Sequence, residues 1–478
     1  MYKLLLTFRY LRRKLIPLLA VAAVMLCVAM LIIVLSIMGG FLNLLETSGG
    51  KLIGDVKLLA GRDGFPGYDR LVAEIEALDE AKAATATIET IGVLTSPSGA
   101  IRPREAVIVG VDAQRLGRVT DFAETLYWTG DRLAEHGLRG DYGDADPVDA
   151  GAALVNPWRD TTRPVRDDPP AVVGIEVNPG NARTPGGTYQ FYRPWLADRV
   201  NLTVFPLTEQ GNVVAPQVDQ FVIVNELHSG LYETDQKFVF VPFDVAQRLL
   251  MMDAAPEVDP ETFQTIGEVP PRASSIIVRA ADGVTPERLK AAVEARYASL
   301  ASRIQGLMPL GMVQVVTWKE LMGNMLRAVR NEKNLMTFLF GIISLVAVIL
   351  ILVIFYMIVL EKTRDIGVLR ALGASRAGVA SIFLSYAAAV GAVGAALGAV
   401  LGVLVVVFIN DLHDWLGANF GIVIWDKSVY FFEKIPNDVN PVEVTVIVLA
   451  AVLSSTVGAV IPALLAARVD PVQSLRYE

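Results

Sequence analysis

Cysteine and histidine are nearly absent from this 478-residue chain, which has one cysteine and three histidines. The single cysteine, Cys27, excludes an intramolecular disulfide, so cysteine usage does not identify the compartment. His136, His228 and His413 are far apart in sequence and form no H-E-x-x-H motif, so we expect no metal site. The net charge of −8 argues against a nucleic-acid-binding protein, which would present a basic surface.

A nucleotide-binding loop is also missing. The sequence contains no G-x-x-x-x-G-K-[ST] motif, and the nearest fragment, Gly49-Gly50-Lys51-Leu52, lacks both the first glycine and the hydroxyl residue. We therefore expect that this chain does not hydrolyse ATP by itself, has no catalytic residue and binds no cofactor of its own.

Charge is scarce, because only 19% of the residues are charged and the mean hydropathy is +0.46. Four runs contain no charged residue, and each exceeds the roughly 20 residues that a helix needs to cross a bilayer. They are Leu15–Leu45, Asn334–Leu360, Ala377–Asn410 and Val444–Ala467. The first run is too long for a signal peptide and no A-x-A site closes it, so we expect an uncleaved span. Ion-coupled carriers place ionisable groups inside their spans, which disfavours that class.

Basic residues in the short connections predict the orientation of these spans. The segment before Pro17 has five basic residues and no acidic one, and the loop after the second span has four basic residues. The connection between the third and fourth spans is mostly acidic. Both termini are therefore expected in the cytoplasm, with the long polar segment on the other side of the membrane.

The expected fold class is an α+β membrane protein, with four transmembrane helices and a large extracytoplasmic α+β domain inserted between helices 1 and 2. Its segments are 1–45, the N-terminal tail and helix 1; 46–332, the extracytoplasmic (periplasmic) domain; 333–360, helix 2; 361–376, a cytoplasmic loop; 377–410, helix 3; 411–443, a short outer loop; 444–467, helix 4; and 468–478, a cytoplasmic tail.

Strand and helix patterns alternate at both ends of the inserted domain. Strands are expected at Asp55–Ala60, Thr85–Leu94, Ala106–Val111, Ser275–Arg279 and Met312–Val316, and helices near Tyr68–Leu78 and Pro286–Leu300. The middle is expected to form a second, mainly β lobe near 121–270, with strands at Phe221–Asn225 and Phe238–Pro242. Within it, residues 121–215 are rich in Asp, Pro and Gly and resist assignment.

Two helices are expected to extend from the membrane as stalks. Apolar residues continue past the first span, and Trp318, Leu321, Met322, Met325 and Val329 have the spacing of an amphipathic helix. No glycine or proline interrupts 324–340, so an unbroken helix from Trp318 to Leu360 would be roughly 65 Å long. The alternative is a short surface helix followed by a break.

The loop after the second span mixes charges with Ile366, Leu369 and Leu372 at helical spacing, and Gly373 is placed to end a short helix. Such a helix would lie along the inner membrane surface. Periodicity alone allows either a docking element for another protein or a simple interfacial connector.

The residues of this loop, E-K-T-R-D-I-G-V-L-R-A-L-G-A, resemble the signature of the FtsX-like permeases, the membrane subunits of mechanotransmitting ABC transporters. The order of one span, a large outer domain and three spans agrees. The resemblance implies that the loop is a coupling helix docking on a separate cytoplasmic ABC ATPase, which would bind ATP and Mg²⁺. The implied coupling residues are Glu361, Arg364, Asp365, Ile366, Leu369, Arg370, Leu372 and Gly373.

Within that superfamily, both ends of the chain resemble the Lol-type lipoprotein-releasing permeases. The similar segments are R-Y-L-R at 9–12, I-V-L-S-I-M-G-G-F at 33–41, V-G-V-D at 109–112, S-G-L-Y-E-T-D at 229–235 followed by Ala246-Gln247, Y-F-F at 430–432 and S-L-R-Y-E at 474–478. The resemblance implies a protein of the bacterial inner membrane that works with a second permease copy or a related permease. The sequence departs from the pattern of this family at residues 121–215.

The implied function is extraction of lipoproteins from the inner membrane, driven by the partner ATPase, for delivery to a periplasmic carrier. Candidate residues that line the client's path between the apolar faces of the two stalk helices are Met38, Phe41 and Leu45 on one stalk and Met325, Met336 and Phe340 on the other. Mutual packing of these side chains is the alternative reading. Alternative functions are a divisome-type signalling adaptor that regulates cell-wall hydrolases, and a permease of an efflux or peptide exporter.

Overall fold

The computed structural model describes residues 15–49, 52–61, 64–97, 99, 102–138, 153–158, 167–183, 189–191, 194–206, 215–258, 265–304, 306–422, 425 and 434–469. The N-terminal tail before residue 15, residues 430–432 and the last residues from 470 lie outside this part. Contacts divide the chain into two compact units. The helical unit lies within Met1–Leu44, Met325–Asn419 and Ile435–Glu478, and the inserted unit within Leu45–Asn324 and Phe420–Lys434.

Helices and strands are numbered in chain order. The helices are α1 Leu15–Gly49, α2 Tyr68–Glu76, α3 Ala113–Val119, α4 Gly130–Glu135, α5 Tyr232–Lys237, α6 Phe243–Leu249, α7 Pro286–Ala301, α8 Trp318–Leu321, α9 Gly323–Glu361, α10 Thr363–Ala371, α11 Arg376–Val407, α12 Ile409–Phe420, α13 Pro441–Gly458 and α14 Val460–Ala467. The strands are β1 Val56–Leu59, β2 Phe65–Pro66, β3 Ala81–Thr95, β4 Arg104–Val111, β5 Pro170–Gly174, β6 Asn181–Arg183, β7 Tyr189–Phe191, β8 Arg199–Val204, β9 Gln217–Leu227, β10 Phe238–Pro242, β11 Ala255–Val258, β12 Thr265–Val269, β13 Arg272–Ala273, β14 Ser275–Ala280 and β15 Gln314–Thr317.

Four helical segments of the described chain are long and apolar enough to cross a membrane. They are Leu18–Leu45, Gly323–Glu361, Arg376–Val407 and Pro441–Ala467. The fourth consists of α13 and α14, which meet at Ala459. These segments overlap the four charge-free runs, because a bilayer requires that length of apolar helix.

Glycines on one face of α11 allow it to approach α1 closely. A Cβ added to Gly398 would lie 2.6 Å from the carbonyl oxygen of Met25, and one added to Gly402 would lie 3.1 Å from that of Ala29. Helices in lipid associate through such close packing, since lipid tails offer no hydrophobic drive between helices. Ser455 of α13 adds a hydrogen bond from its hydroxyl to the carbonyl of Ala387, at 2.9 Å. The glycines that the sequence places in the third span therefore serve helix packing.

The second stalk predicted from sequence is one helix over most of its length. Helix α9 runs for 39 residues from Gly323 to Glu361 without interruption, a length of roughly 58 Å. Its predicted start at Trp318 is separated as α8, because Met322 leaves helical geometry at φ −85° and ψ 4°. Helix α8 is fixed by a capping box, in which Thr317 and Glu320 each accept a hydrogen bond from the other's backbone N–H.

The inserted unit is built on a nine-stranded sheet in the order β15-β1-β14-β3-β4-β10-β5-β9-β8. The strands and helices predicted from both ends of the domain are confirmed within a few residues, and β10 has the predicted bounds. Apolar residues of α2 and α7, among them Leu71, Ile75, Leu289 and Val293, pack in one core with β1, β14 and β15. This part is the expected α+β layer.

Strands from the middle segment continue the same sheet instead of forming a separate one. Strand β3 is long enough to pair with β14, β4 and also β8, so that β3, β4, β10, β5, β9 and β8 close into a six-stranded ring. Alternate residues of all six strands, including Ile88, Ile108, Val173, Ile223 and Val239, form one buried core cluster. The mainly β lobe expected near 121–270 therefore shares β3 and β4 with the α+β layer.

A buried carboxylate joins three distant segments at one end of this ring. Glu226 of β9 is fully buried and accepts hydrogen bonds from Trp128 Nε1 at 2.8 Å, Asn181 Nδ2 at 3.0 Å and Asn178 Nδ2 at 3.3 Å. Burial raises the pKa of Glu226 from 4.5 to about 7, against the opposing effect of these donors. The network fastens the chain before α4 and the chain after β5 to β9.

Because α11 contacts α1 closely, we expect a large side chain at a glycine of this contact to destabilise the protein more than one at an open glycine. Gly398→Leu should lower the thermal unfolding midpoint of the detergent-solubilised protein, because overpacking costs about 1–3 kcal/mol or more. The matched control is Gly341→Leu on α9, where no described heavy atom lies within 4 Å of an added Cβ. Equal midpoints for the two variants would contradict the packing described here.

The raised pKa of Glu226 predicts that the inserted unit loses stability as pH rises. An unfolded glutamate ionises near 4.5 whereas the folded one ionises near 7, so the contribution is complete below pH 4.5 and is lost as pH rises to about 7, by about 3 kcal/mol. Unfolding followed by tryptophan fluorescence at pH 5 and pH 7.5 measures this loss.

Glu226→Gln is the control for that titration, since glutamine cannot ionise. It should flatten the pH dependence relative to the unmodified chain, because every other ionisable residue is the same in both proteins. A variant with the same pH slope as the unmodified chain would rule out Glu226 as its source.

Candidate coupling site

Helix α10 is a separate short helix set between two tight turns. Lys362, at φ −101° and ψ 9°, separates it from α9, and Thr363 donates its hydroxyl to the carbonyl of Leu360 at 2.8 Å. At the other end Gly373 has a φ of 92°, in the left-handed region that favours glycine. The N–H groups of Ala374 and Gly373 bond to the carbonyls of Leu369 and Arg370, at 3.0 and 3.1 Å. This is the Schellman arrangement, so Gly373 ends the helix as the sequence predicts.

One face of α10 is anchored on the helical unit. Ile366 is 2% exposed and belongs to the core cluster formed by the membrane-spanning helices. Arg370 donates from Nη1 to the carbonyl of Ala467, the last residue of α14, at 2.8 Å. The last carbonyls of a helix lack intrahelical hydrogen-bond donors and carry partial negative charge. A guanidinium there supplies a donor and a compensating positive charge.

The opposite face of α10 is exposed. It combines charged Arg364 and Asp365 with apolar Val368 and Leu372, whose spacing of three or four residues places them on one side of a helix. Glu361, the last residue of α9, is also exposed. Val368 is 44% exposed and Leu372 is 81% exposed. Large apolar side chains left open beside charges are typical of a surface that another protein covers.

The structure sorts the coupling residues predicted from sequence into two groups. Ile366 and Arg370 face the helical unit, whereas Glu361, Arg364, Asp365, Leu372 and Gly373 are exposed and Leu369 is half-buried. The spacing of Ile366, Leu369 and Leu372 suggested one apolar face, but six residues rotate the helix by about 120° from its start. Val368 was missed for the same reason, and a projection at about 3.6 residues per turn from Arg364 and Leu372 would have found it.

Comparison with known families assigns this region. Residues 337–471, which include α10 and most of the three helices around it, match the FtsX-like permease C-terminal family. This part of the chain is an FtsX-like permease domain. The predicted coupling loop therefore lies inside the matched region.

Relatives of this chain include two described as the lipoprotein-releasing system transmembrane protein LolC. The one from Xylella fastidiosa strain 9a5c is 30% identical over 288 residues, or 59% of this chain and 62% of that protein. The one from Neisseria meningitidis serogroup B is 28% identical over 294 residues, with the same coverages. The match thus spans 62% of the length of these relatives.

Solved structures similar to this chain include the periplasmic region of MacB from Actinobacillus actinomycetemcomitans, with a TM-score of 0.28 and 10% identity. It covers 59% of this chain and 97% of that one. The extracellular domain of the transporter YknZ from Gram-positive bacteria gives a TM-score of 0.27 and 9% identity, covering 55% and 98%. At these TM-scores the likeness carries no conclusion about this chain.

The client-lining residues predicted from sequence differ in burial. Phe340 and Leu45 are buried, and Met38, Phe41, Met325 and Met336 are half-buried. Their role remains a prediction. Among the described residues, no group of three or more His, Cys, Asp or Glu side chains is placed to hold a metal ion.

Two arginines on α10 provide a matched test of the anchoring. Arg370→Met keeps an apolar stem but removes the bond to Ala467, so it should lower the thermal unfolding midpoint in detergent by an amount equivalent to about 1–3 kcal/mol. Arg364→Met alters the exposed face and should leave the midpoint unchanged. If both variants melt alike, Arg370 does not hold α10 in place.

Proposed function

We propose that this chain is the non-catalytic membrane permease of a mechanotransmitting ABC transporter that extracts lipoproteins from the bacterial inner membrane. A separate cytoplasmic ATPase, which binds ATP and Mg²⁺, docks on the exposed face of α10. A second copy of this permease, or a related one, completes the membrane part. The extracted lipoprotein passes to a periplasmic carrier.

The observation that supports the proposal most is the two-sided construction of α10. A docking helix must present groups to its partner and also pass force to the membrane helices. The exposed set of Val368, Leu372 and Arg364 fits the first requirement. Ile366 in the helical core and Arg370 on Ala467 fit the second. A simple connector would need neither the exposed apolar pair nor the buried anchor.

The inferred direction of force follows the helices. Because α10 follows α9 with one residue between them, a push on α10 acts on the end of a 39-residue helix. A helix without proline or an internal break transmits such a push along its axis better than a loop does. The inserted unit, expected in the periplasm, then changes its contacts with client or carrier. The relatives described as lipoprotein-releasing proteins favour a lipid-anchored client.

Leu372→Asp tests the docking face. It should reduce the amount of ATPase that co-purifies with the detergent-extracted chain at least tenfold, because a carboxylate would be buried against the partner without a counter-charge. Met312→Asp is the matched control, since Met312 is also an exposed apolar residue, at 70%, but belongs to the inserted unit. Retention of the ATPase by Leu372→Asp would contradict the docking site.

The client is tested in the same purification. Mass spectrometry of the complex should find acylated proteins that are lost when ATP is added. A complex that holds a peptidoglycan hydrolase and no acylated protein would instead favour the signalling adaptor.

A further inference from the structure

Residues 435–443 form a clasp across the end of the helical unit away from α10. The clasp begins with a two-way bond to α12. Asn410 donates from Nδ2 to the carbonyl oxygen of Ile435 at 3.1 Å and accepts at Oδ1 from the N–H of Ile435 at 2.9 Å. This pair fixes the position and direction of the segment as it approaches α13.

The clasp then contacts the two helices expected to act as stalks. Asn43 of α1 donates from Nδ2 to Asp438 Oδ2 at 3.0 Å. Lys333 of α9 donates from Nζ to Glu443 Oε1 at 3.0 Å, where Glu443 lies in the first turn of α13. One nine-residue segment therefore contacts both α1 and α9, at residues that lie almost 300 positions apart in sequence.

Two glycines of α1 form the seat of the clasp. A Cβ added to Gly40 would lie 3.0 Å from both the N atom of Asp438 and the Cβ of Pro436. One added to Gly39 would lie 3.6 Å from Lys333 Nζ. The missing side chains let both the clasp and the lysine rest against the backbone of α1.

The polar contacts of the clasp are specific but individually weak, and they add to the buried side chain of Ile435. Lys333 and Glu443 side chains are 23% and 36% exposed, and partly exposed ion pairs and single hydrogen bonds stabilise only modestly. Deeper in the unit, contact between α1 and α9 includes Cys27 Sγ and Ser344 Oγ, 3.6 Å apart. Such a closure can be opened and reformed, unlike the packed interface of α1 with α11.

We propose that the 435–443 clasp is a reversible latch, which must open for α1 and α9 to separate and expose their apolar faces to the acyl chains of a client. Asn43, Asp438, Lys333 and Glu443 are its positioning residues. The inference rests on the proposed lipoprotein extraction for its consequence, whereas the latch itself is a property of the helical unit.

The native cysteine reports the latch without any transport assay. Lys333→Glu places two carboxylates together and should open the latch, so alkylation of Cys27 by a membrane-permeant maleimide should accelerate at least threefold. The exchanged pair Lys333→Glu with Glu443→Lys should return the rate to that of the unmodified chain. Lys82→Glu is the control, because Lys82 pairs with Asp282 at 3.1 Å in the inserted unit. An unchanged rate in Lys333→Glu, or no recovery in the exchanged pair, overturns the latch.

Closure is tested by a reversible crosslink. In a Cys27→Ser background, Asn43→Cys and Asp438→Cys are joined by a short bis-methanethiosulfonate in proteoliposomes that contain the ATPase and an acylated protein. Release should fall at least tenfold, ATP hydrolysis should stay within twofold, and reductant should restore release. The control joins Lys82→Cys to Asp282→Cys and should leave release unchanged. Release at the unlinked rate after complete crosslinking overturns the latch.

The two proposals fail in different ways. If the chain with its native residues releases no acylated protein, the proposed function is wrong while the alkylation rates still decide the latch. If the double-cysteine chain releases no acylated protein even without the crosslink, the latch is judged from the alkylation rates of Lys333→Glu and of the exchanged pair Lys333→Glu with Glu443→Lys. Those variants leave Asn43 and Asp438 intact.

Discussion

Close backbone contact between α1 and α11 is the constraint on which the helical unit depends. Apolar side chains gain little from one another in lipid, so helices there are held by fit and by occasional polar contacts. Gly394, Gly398 and Gly402 provide that fit against Val21, Met25 and Ala29. With α1 fixed on α11, and α13 held by the bond from Ser455 to Ala387, α9 carries more exposed large apolar side chains than any other helix of the described chain.

This arrangement separates fixed from movable parts. The packed helices resist displacement because any shift forfeits many close contacts. Helix α10 is held by one buried side chain, Ile366, and the bond from Arg370 to Ala467, and the 435–443 clasp by the buried Ile435 and a few polar bonds. Helix α10 follows the C-terminal end of α9, and the clasp contacts α9 at Lys333, in its N-terminal third. In the proposed mechanism, a force applied by another protein at Arg364 and Leu372 would therefore move α9 and open the 435–443 clasp.

Features that depend on a short stretch of sequence could be predicted from it. The four spans follow from charge-free length, the bounds of β10 from a short alternating run, and the end of α10 from Gly373. Sequence reasoning missed what depends on residues brought together from afar. The six-stranded ring needs β3 to meet β8 across more than a hundred residues, and Glu226 meets Trp128, Asn178 and Asn181 only in the folded chain. The two faces of α10 could have been predicted from the sequence. That prediction requires the roughly 100° turn of the helix at each residue, because residues spaced only by three drift away from a common face.

Sidedness is the central claim, since coupling through α10 has meaning only if α10 and the inserted unit face opposite compartments. In a Cys27→Ser chain, Leu372→Cys and Met312→Cys each place one exposed thiol, on α10 and on the inserted unit. A membrane-impermeant maleimide applied to spheroplasts should label Met312→Cys, and should reach Leu372→Cys only after the inner membrane is permeabilised. Labelling of both thiols from the same side would contradict the account.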